Sequence, residues 1–391
     1  MTNEQKNVPE LRFPEFKGEW VRKKLKNIAS FGKGKSLSKK DISKEGHPCI
    51  LYGELYTKYD PITTKVYSKT NKLDKKLVYS EKNQVLIPSS GETDIDIATA
   101  TCINISEKII IGGDLNIITP KIADGRFISL YINGKGKYNL AKYAQGKSVV
   151  HLYNSDIKKL EFFLPKEISE QEKIGNFFSK LDRQIELEEQ KLELLKQQKK
   201  GYMQKIFSQE IKFKDENGND YPEWIEKTIE EVTKYISSKK SSNQYIENNT
   251  LGSYPVYDAI QEIAKDSQYD MEEPYISILK DGAGVGRLNL RAGKSSVIGT
   301  MGYLLPKYID IQFLYYRMKL LEFKKYIIGS TIPHLYYKDY SKEKLKIPSS
   351  SDEQKKIGTS LKKLDDYIEK QSSKVEFLKQ RKQGLLQKMF I

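Results

Sequence analysis

The sequence predicts an α+β fold class, with two mixed α/β domains separated by two long antiparallel coiled-coil helices in a pseudo-two-fold duplication. Three observations lead to this prediction. The chain repeats itself at one constant offset. Each repeat ends in an uninterrupted helix with a heptad pattern. Short β-type runs between glycine-rich turns fill the stretch before each helix.

The repeat is clearest near the end of each half. Residues 181–207 and 364–390 align without a gap at an offset of 183 residues, and 14 of the 27 positions are identical. The same offset relates Pro165 to Pro348, and the tripeptide HLY at 151 to HLY at 334. Upstream of Gly146 and Gly329 the match decays. The chain is therefore interpreted as a tandem duplication whose halves kept their ends and diverged in the middle.

Four segments follow from this pattern: a first domain over 1–165, a helix over 166–208, a second domain over 209–348 and a second helix over 349–391. Within the domains, runs such as VLIPSS (85–90) and YISILKDG (275–282) predict strands. Shorter helices are expected near 127–144 and 311–328.

The two long helices have recognisable starts and seams. The patterns Ser169-x-x-Glu172 and Ser351-x-x-Gln354 are typical of capping boxes. From 174 to 206, positions that step alternately by four and three are apolar in eight of ten cases, and so are their equivalents from 357 to 389. This is the seam of a coiled coil, and two helices with one register are expected to pack on each other.

Lysines in the seam predict the direction of pairing. In a parallel pair, Lys199 would face Lys382 in a buried layer, and desolvating two like charges is costly. In an antiparallel pair each lysine meets the apolar end of the other helix and can extend outward to water. We therefore expect an antiparallel spacer about 50 Å long, with one domain near each end.

Composition limits the partners and the compartment. The net charge of +15 and the pI near 9.2 favour a polyanionic partner, although an AT-rich genome can also produce such a lysine-rich chain. The two cysteines, Cys49 and Cys102, cannot form a disulfide framework, and no apolar run is long enough to span a bilayer. A cytoplasmic protein without a membrane partner is expected.

Stretches that resemble catalytic or cofactor-binding motifs each lack a required residue. Three Gly-Lys-Ser tripeptides have Ala29, Ala141 or Leu288 where a phosphate-binding loop needs its first glycine. The glycine run that starts at Asp281 has Arg287 where a dinucleotide motif needs its last glycine. The three histidines lack metal-ligand spacing. No catalytic residue and no metal site is predicted.

Loops in both domains mix lysine or arginine with small polar and aromatic residues, a mixture that can hold phosphates and reach base edges. For any single residue, an ordinary solvated role is the alternative, and for the two loop histidines a structural role. The candidate DNA-binding residues are Lys33, Lys35, Ser36, Ser89, Lys147, Ser148, His151, Tyr153, Lys239, Lys240, Ser241, Lys280, Arg287, Arg291, Ser330, Thr331, His334 and Tyr336. In the second domain, the candidate DNA-binding loop that begins at Lys239 extends to Gln244.

Unlike domains on matching helices also predict the form of the target. Two identical readers would require a palindrome, whereas two different readers on a fixed spacer require a bipartite, asymmetric site with an unread gap. The helices, being alike, should bind two copies of one partner. The candidate partner-binding residues are Phe177, Leu181, Ile185, Leu361, Leu364 and Ile368.

Paired signatures carry a family resemblance. They read GKSVVHLY, LP, EQEKIG and KGYMQKIF in the first half, and GSTIPHLY, IP, DEQKKIG and QGLLQKMF in the second. Along essentially its whole length, the chain resembles the specificity (S) subunit of type I restriction-modification systems. The resemblance implies two target-recognition domains and helices that bind two modification (methyltransferase) subunits. Two restriction (translocase-nuclease) subunits would complete the complex on double-stranded DNA.

The resemblance also implies that S-adenosylmethionine, ATP and Mg²⁺ belong to those partners and that this chain holds no cofactor. Three alternatives stay open. One is the specificity subunit of a type IIG-like system, which has a similar layout. A second is a coiled-coil scaffold whose domains bind peptides, disfavoured by the charge and by the divergence of the domains. A third is a self-sufficient nuclease or methyltransferase, disfavoured by the missing motifs.

Overall fold

The computed structural model describes residues 7–241, 245 and 252–391. The chain divides into two compact units, Met1–Glu189 with Ser373–Ile391, and Gln190–Ser372. The division falls inside both long helices, after Glu189 and after Ser372. These two positions are separated by the offset of 183 residues that aligns the sequence repeats, so the division follows the duplication.

The first half contains short strands and helices before one long helix. The strands are β1 (Val21–Lys24), β2 (Ala29–Lys33), β3 (Ile42–Ser43), β4 (His47–Ile50), β5 (Ile62–Thr63), β6 (Ser68–Thr70), β7 (Val78–Tyr79), β8 (Val85–Pro88), β9 (Ser90–Gly91), β10 (Thr101–Ile103), β11 (Ile110–Ile111), β12 (Leu115–Pro120), β13 (Val150–His151) and β14 (Glu161–Leu164). The α-helices are α1 (Tyr52–Leu55), α2 (Asp94–Ile97), α3 (Gly125–Asn133), α4 (Lys137–Ala141), α5 (Asn154–Ile157) and α6 (Ile168–Phe207), with 3-10 turns at Leu25–Asn27 and Lys39–Asp41.

In the first unit, one five-stranded sheet has the order β2-β12-β8-β10-β5, and a second has the order β3-β6-β4-β11-β7. Strand β12 runs antiparallel to both β2 and β8. Its run LNIITP lies between β2 and β8, and the first four residues of this run are buried. Helix α3 packs on β8 and β10 through Phe127, Ile128 and Leu130, which are fully buried.

The second half repeats this arrangement with differences. Its strands are β15 (Ile225–Thr228), β16 (Thr233–Ser237), β17 (Tyr254–Tyr257), β18 (Glu262–Asp266), β19 (Tyr275–Leu279), β20 (Leu288–Arg291), β21 (Ser296–Val297), β22 (Met301–Pro306), β23 (Ile327–Ile328), β24 (His334–Leu335) and β25 (Lys344–Ile347). Its α-helices are α7 (Ile229–Val232), α8 (Ile311–Met318), α9 (Tyr337–Tyr340) and α10 (Ser351–Lys388), with a 3-10 turn at Phe323–Tyr326.

Sheet order shows which part of the fold is duplicated. The sheet β16-β22-β19-β20 matches β2-β12-β8-β10, and the pair β15-β25 matches β1-β14. The second sheet differs, because the described residues of the second unit form only β18-β17-β21 there, against five strands in the first unit. The frame is therefore repeated, and the added strands are specific to each unit.

The end of each long helix is anchored by an aromatic cluster. In the first unit, Phe390 packs against Trp20 and Phe127, with ring centroids 6.4 and 5.0 Å away. In the second unit, the equivalent Phe207 packs against Trp224 and Phe313, at 6.4 and 5.6 Å. The retained Phe is thus buried in the core of the first unit, and it is half-buried against the core of the second.

A pair of hydrogen bonds fixes the start of each long helix. In the first unit, the Trp20 indole donates to Glu170, and the Gln171 amide donates to the Pro165 carbonyl. Gln171 also accepts from the backbone N–H of Asp124, which caps α3. The second unit repeats all three contacts with the counterparts Trp224, Glu353, Gln354, Pro348 and Asp310. These contacts explain why the EQ pair was retained in both halves.

The two long helices pair antiparallel, as predicted. Within the first unit, Lys382 lies 2.5 Å from Asp182, and Lys374 lies 2.5 Å from Glu188. Partner numbers on α10 therefore fall as numbers on α6 rise. Leu181, Ile185 and Leu378 form the apolar layer between these salt bridges.

The reason given for that direction was partly wrong. The seam lysines do not extend outward to water, because Lys382 bonds to Asp182 and Lys199 bonds to Asp365. Their side chains are only 10% and 13% exposed. Asp182 and Asp365 are equivalent in the repeat, so each unit contains one copy of the same interhelical ion pair.

Several helix details also differ from the sequence prediction. Ser169 is not a cap, because α6 begins one residue before it, and Ser350 rather than Ser351 accepts from the N–H of Glu353. The seam shifts from Tyr202, which is 47% exposed, to the buried Met203. Here α6 packs on the domain core as well as on α10, and that core selects the buried face.

The predicted shorter helices are also interrupted. The helix expected near 127–144 is split into α3 and α4 by a turn at Gly134. The helix expected near 311–328 ends at Met318, and a 3-10 turn and strand β23 follow. Among the described helices, none is long and apolar enough to cross a membrane.

Candidate nucleic-acid interface

Three loops of the first domain meet at one edge of its first sheet. Strands β2 and β8 end, and β12 begins, at this edge, because β12 is antiparallel to both. The loop after β2 is tied to the start of β12 by Gly34 N–H donating to the Leu115 carbonyl, and the loop after β8 by Ser89 N–H donating to the Asp114 carbonyl.

The third loop is a hairpin from Gly146 to Tyr153. Its strand β13 pairs with β9, with His151 opposite Ser90. The buried Asn116 amide donates to the Leu152 carbonyl at 2.9 Å, and the Asn154 amide donates to the Gly32 carbonyl at 2.8 Å. The three segments singled out in the first domain thus form one surface, and the two asparagines that join them were missed from the sequence.

The second domain brings its segments together in the same way. Strands β16 and β19 end, and β22 begins, at the corresponding sheet edge. Gly299 N–H donates to the Lys240 carbonyl, and Lys280 N–H donates to the Thr300 carbonyl. Gly282 N–H donates to the carbonyl of Pro333 in the hairpin from Gly329 to Tyr336.

Glycine is required at the two hairpin turns. Gly146 has φ +120° and Gly329 has φ +89°, a region that side chains disfavour. A Cβ would lie 2.2 Å from the Val149 carbonyl oxygen in the first turn and 2.4 Å from that of Ile332 in the second. The backbone conformation therefore explains why this glycine was kept in both halves.

Most of the candidate DNA-binding side chains are solvent-accessible at these edges. The exposed ones are Lys33, Lys35, Lys147, Ser148, Tyr153, Lys239, Ser241, Arg287, Ser330, Thr331 and Tyr336. The half-buried ones are Ser36, His151, Lys280 and His334. Residues 242–244 of the segment from Lys239 to Gln244 lie outside the described residues.

Three candidates are corrected by the structure. Ser89 is only 4% exposed. Lys240 forms salt bridges with Asp266 at 2.7 Å and Asp270 at 3.7 Å, so its charge is paired within the domain. Arg291 stacks on the Tyr257 ring at 4.0 Å and donates to a backbone carbonyl, so its guanidinium supports the fold.

Comparison with known protein families shows to which family the chain belongs. The family model described as Type I restriction modification DNA specificity domain matches residues 17–197 and 221–376. The chain belongs to this specificity family. The two matched segments each contain one domain and most of its long helix, so the family unit is present twice.

A curated relative supports the same family assignment. The specificity subunit of the type I restriction enzyme MjaVIII from Methanocaldococcus jannaschii is 28% identical over 201 residues. That match spans 47% of this chain and 46% of the relative, which is about half of each.

Solved structures show the same fold over the full length. A type I restriction-modification S subunit from M. genitalium has a TM-score of 0.68 at 20% identity and covers 98% of this chain and 99% of that one. A chain from a study of complex assembly and conformational transition of the type I system has a TM-score of 0.51 at 15% identity, covering 94% and 96%.

The partner-binding residues chosen from the sequence lie mostly inside this specificity fold. Leu181, Ile185 and Leu361 are buried in apolar clusters, so they hold the fold together and are not accessible to a partner. Phe177 packs against Phe13 at 5.8 Å. Leu364 packs on the second domain core, and Ile368 is half-buried.

Other apolar side chains on the long helices are exposed. On α6 these include Leu187 and Leu194, and on α10 Tyr367 and Phe377, which are 49% to 63% exposed. Leu194 and Phe377 are equivalent in the repeat and are 54% and 61% exposed. Their positions outside the heptad seam were the sequence signal that could have identified them, because apolar residues there have no partner within the coiled coil.

Proposed function

We propose that this chain is the non-catalytic DNA-recognition subunit of a type I restriction-modification complex. Each domain reads one half of a bipartite, asymmetric DNA target. The observation that carries the proposal is a single sheet frame built twice, with the candidate loops gathered at the same edge in each copy. Because the loop residues differ between the copies, the two half-sites should differ as well.

Charge at these edges supports a nucleic-acid ligand. Lys33, Lys35 and Lys147 are exposed in the first domain, and Lys239 and Arg287 in the second. Cations on loops can hold phosphates, and an exposed arginine can also bond two acceptors on guanine. The net charge of +15 acts in the same direction by attracting the duplex.

The long helices are the proposed docking site for two modification (methyltransferase) subunits, one on each half. Leu194 in the second unit and Phe377 in the first are repeat-equivalent, exposed and apolar, as an interface anchor requires. Two restriction subunits would join through the modification subunits. S-adenosylmethionine, ATP and Mg²⁺ would be bound by these partners.

Co-expression with the cognate modification subunit, followed by mapping of methylated bases in the host genome, tests the function. The expected result is methylated adenine in a two-part motif with an unread gap. A scaffold would leave the genome unmethylated, and a self-sufficient enzyme would methylate or cleave DNA as the purified chain alone. Either of these two results would overturn the proposal.

A separate experiment tests the docking site. Leu194→Glu and Phe377→Glu should each reduce the bound modification subunits from two to one, and the double variant should bind none, as measured by native mass spectrometry. Leu73→Glu is the matched control, because Leu73 is 86% exposed on a loop of the first domain. Unchanged stoichiometry in the double variant would remove these side chains from the interface.

A further inference from the structure

One element at the candidate DNA surface is alike in both domains, although the loops around it differ. It is the hairpin from Gly146 to Tyr153 in the first domain and from Gly329 to Tyr336 in the second, here called the histidine hairpin. Its tip carries an exposed aliphatic side chain, Val149 or Ile332, 54% and 57% exposed.

Each histidine hairpin presents a histidine and a tyrosine in the same way. The His151 and Tyr153 rings are nearly parallel, with centroids 6.2 Å apart, and the His334 and Tyr336 rings repeat this arrangement at 6.2 Å. The two tyrosines are 49% and 46% exposed. In each domain the tyrosine is exposed and the histidine half-buried, and the same arrangement recurs beside loops that differ, as a shared ligand would require.

The histidine is held by a different residue in each domain. Nδ1 of His151 is 3.2 Å from the Ser90 hydroxyl, and Nδ1 of His334 is 2.7 Å from the Asp281 carboxylate. Ser90 and Asp281 face the histidine from corresponding bridges of the sheet. In both cases Nδ1 is engaged internally, which leaves Nε2 as the ring nitrogen for an outside group.

The hairpin shares its surface with the loops that differ. Asn154 joins the first hairpin to the backbone at Gly32, beside Lys33. Gly282 joins the second hairpin, through Pro333, to the loop that carries Arg287. A duplex lying on the variable loops would therefore also contact the hairpin.

We propose that the two histidine hairpins are equivalent, base-independent anchors on the sugar-phosphate backbone, while the neighbouring loops read the bases. Every half-site has the same backbone whatever its sequence, so an element retained in both domains fits that part of the ligand. Histidine Nε2 and the tyrosine hydroxyl can bond phosphate oxygens, and the aliphatic tip can contact deoxyribose. This inference rests on the proposed function.

The test uses the complex assembled with the modification subunit and two fluorescent duplexes, one with the mapped motif and one of unrelated sequence. The variants are His151→Ala with Tyr153→Ala, and His334→Ala with Tyr336→Ala. Each pair of substitutions should weaken the binding of both duplexes by the same factor, about threefold to thirtyfold, and leave the methylated motif unchanged. The comparison variant Arg287→Ala should weaken the motif duplex more than the unrelated one.

Three results would overturn the inference. A changed motif, or a loss confined to the motif duplex, would make the hairpins base readers. Lost binding of the modification subunit with intact DNA affinity would make them a protein interface. Unchanged DNA binding with intact assembly would make them structural. If an alanine pair unfolds, His151→Gln and His334→Gln replace it. A wild-type complex without preference for its motif would instead refute the proposed function.

Discussion

Asp182 and Asp365 occupy equivalent places in the two repeats, and each faces the lysine that interrupts the apolar seam of the other helix. Burial lowers the pKa of Lys382, but the carboxylates of Asp182 and Asp60 outweigh it, so the net pKa lies above the ordinary value. A partly buried ion pair adds little net stability, yet it disfavours every pairing that separates the charges. We therefore expect these pairs to specify the direction and register of the helices.

Removing one member of such a pair should lower the free energy of unfolding more than removing the charges of both members. In Lys199→Met, Asp365 loses its salt bridge and keeps the hydrogen bond that the Tyr316 hydroxyl donates to it at 2.6 Å. We expect a loss of about 1–3 kcal/mol in the free energy of unfolding, less than for a fully buried pair because Asp365 is partly exposed. Adding Asp365→Asn should recover part of that loss in denaturant unfolding. A loss in the double variant equal to the sum of the Lys199→Met and Asp365→Asn losses would show that the pair contributes no coupling.

The salt bridge between Lys240 and Asp266 predicts a pH effect in the second domain. The Lys240 hydrogen bond, opposed by burial and helped by Tyr245, lowers the pKa of Asp266 to about 2. Because the unfolded pKa is about 3.9, the stabilisation is present above that value and is lost as the pH falls through about 2. The melting temperatures of wild type and Asp266→Asn should differ by a constant amount from pH 7 to 5, and the difference should close towards pH 2. A difference that does not depend on pH would rule out this linkage.

At the level of elements, the sequence predicted the features that depend on neighbouring residues, such as strands and helices. The strands in VLIPSS and YISILKDG and the two long helices follow from apolar patterns within each segment, and the structure has them. The antiparallel direction was predicted from the seam lysines and is confirmed, although those lysines are held by ion pairs. Ser89, Lys240 and Arg291 were misassigned because their surroundings come from distant residues. Asp266 and Asp270 are 26 and 30 residues from Lys240, and nothing in the local sequence marks them as its partners.

The shift from Tyr202 to Met203 has the same kind of cause. A heptad count describes only the contact between two helices, and an α-helix drifts by about 20° per heptad from that repeat. Near its end, α6 also contributes Met203 and Ile206 to the core of the second domain, and that core determines which side chains are buried. The heptad pattern therefore predicted the coiled coil correctly. It was wrong by one residue where α6 also packs on the core of the second domain.

Helix length should determine the unread gap in the target. One heptad would be inserted between Glu189 and Gln190 and another between Ser372 and Ser373, the equivalent points where the chain divides into units. Seven residues add about 10 Å to a helix, so the gap in the methylated motif should widen by about three base pairs. An insertion in one helix alone should disrupt pairing. A gap of unchanged length in the doubly extended chain would show that the helices do not set it.

For the whole molecule, the duplication connects fold and function. The frame, the aromatic anchors, the tryptophan-glutamate hydrogen bonds and the interhelical ion pairs recur in both units, whereas the second sheets and the loops at the candidate DNA edges differ. What recurs holds each domain in the same way on its helices. If the differing loops read DNA as proposed, the two domains should act as independent readers.

Exchange of one domain tests this independence most directly. Residues 1–165 would be replaced by the corresponding domain of another member of the family, the chimera co-expressed with its modification subunit, and the methylated motif mapped in the host genome. We expect a new sequence in one half of the motif, with the other half unchanged. A chimera that folds and methylates but changes both halves, or neither, would contradict independent reading by the two domains.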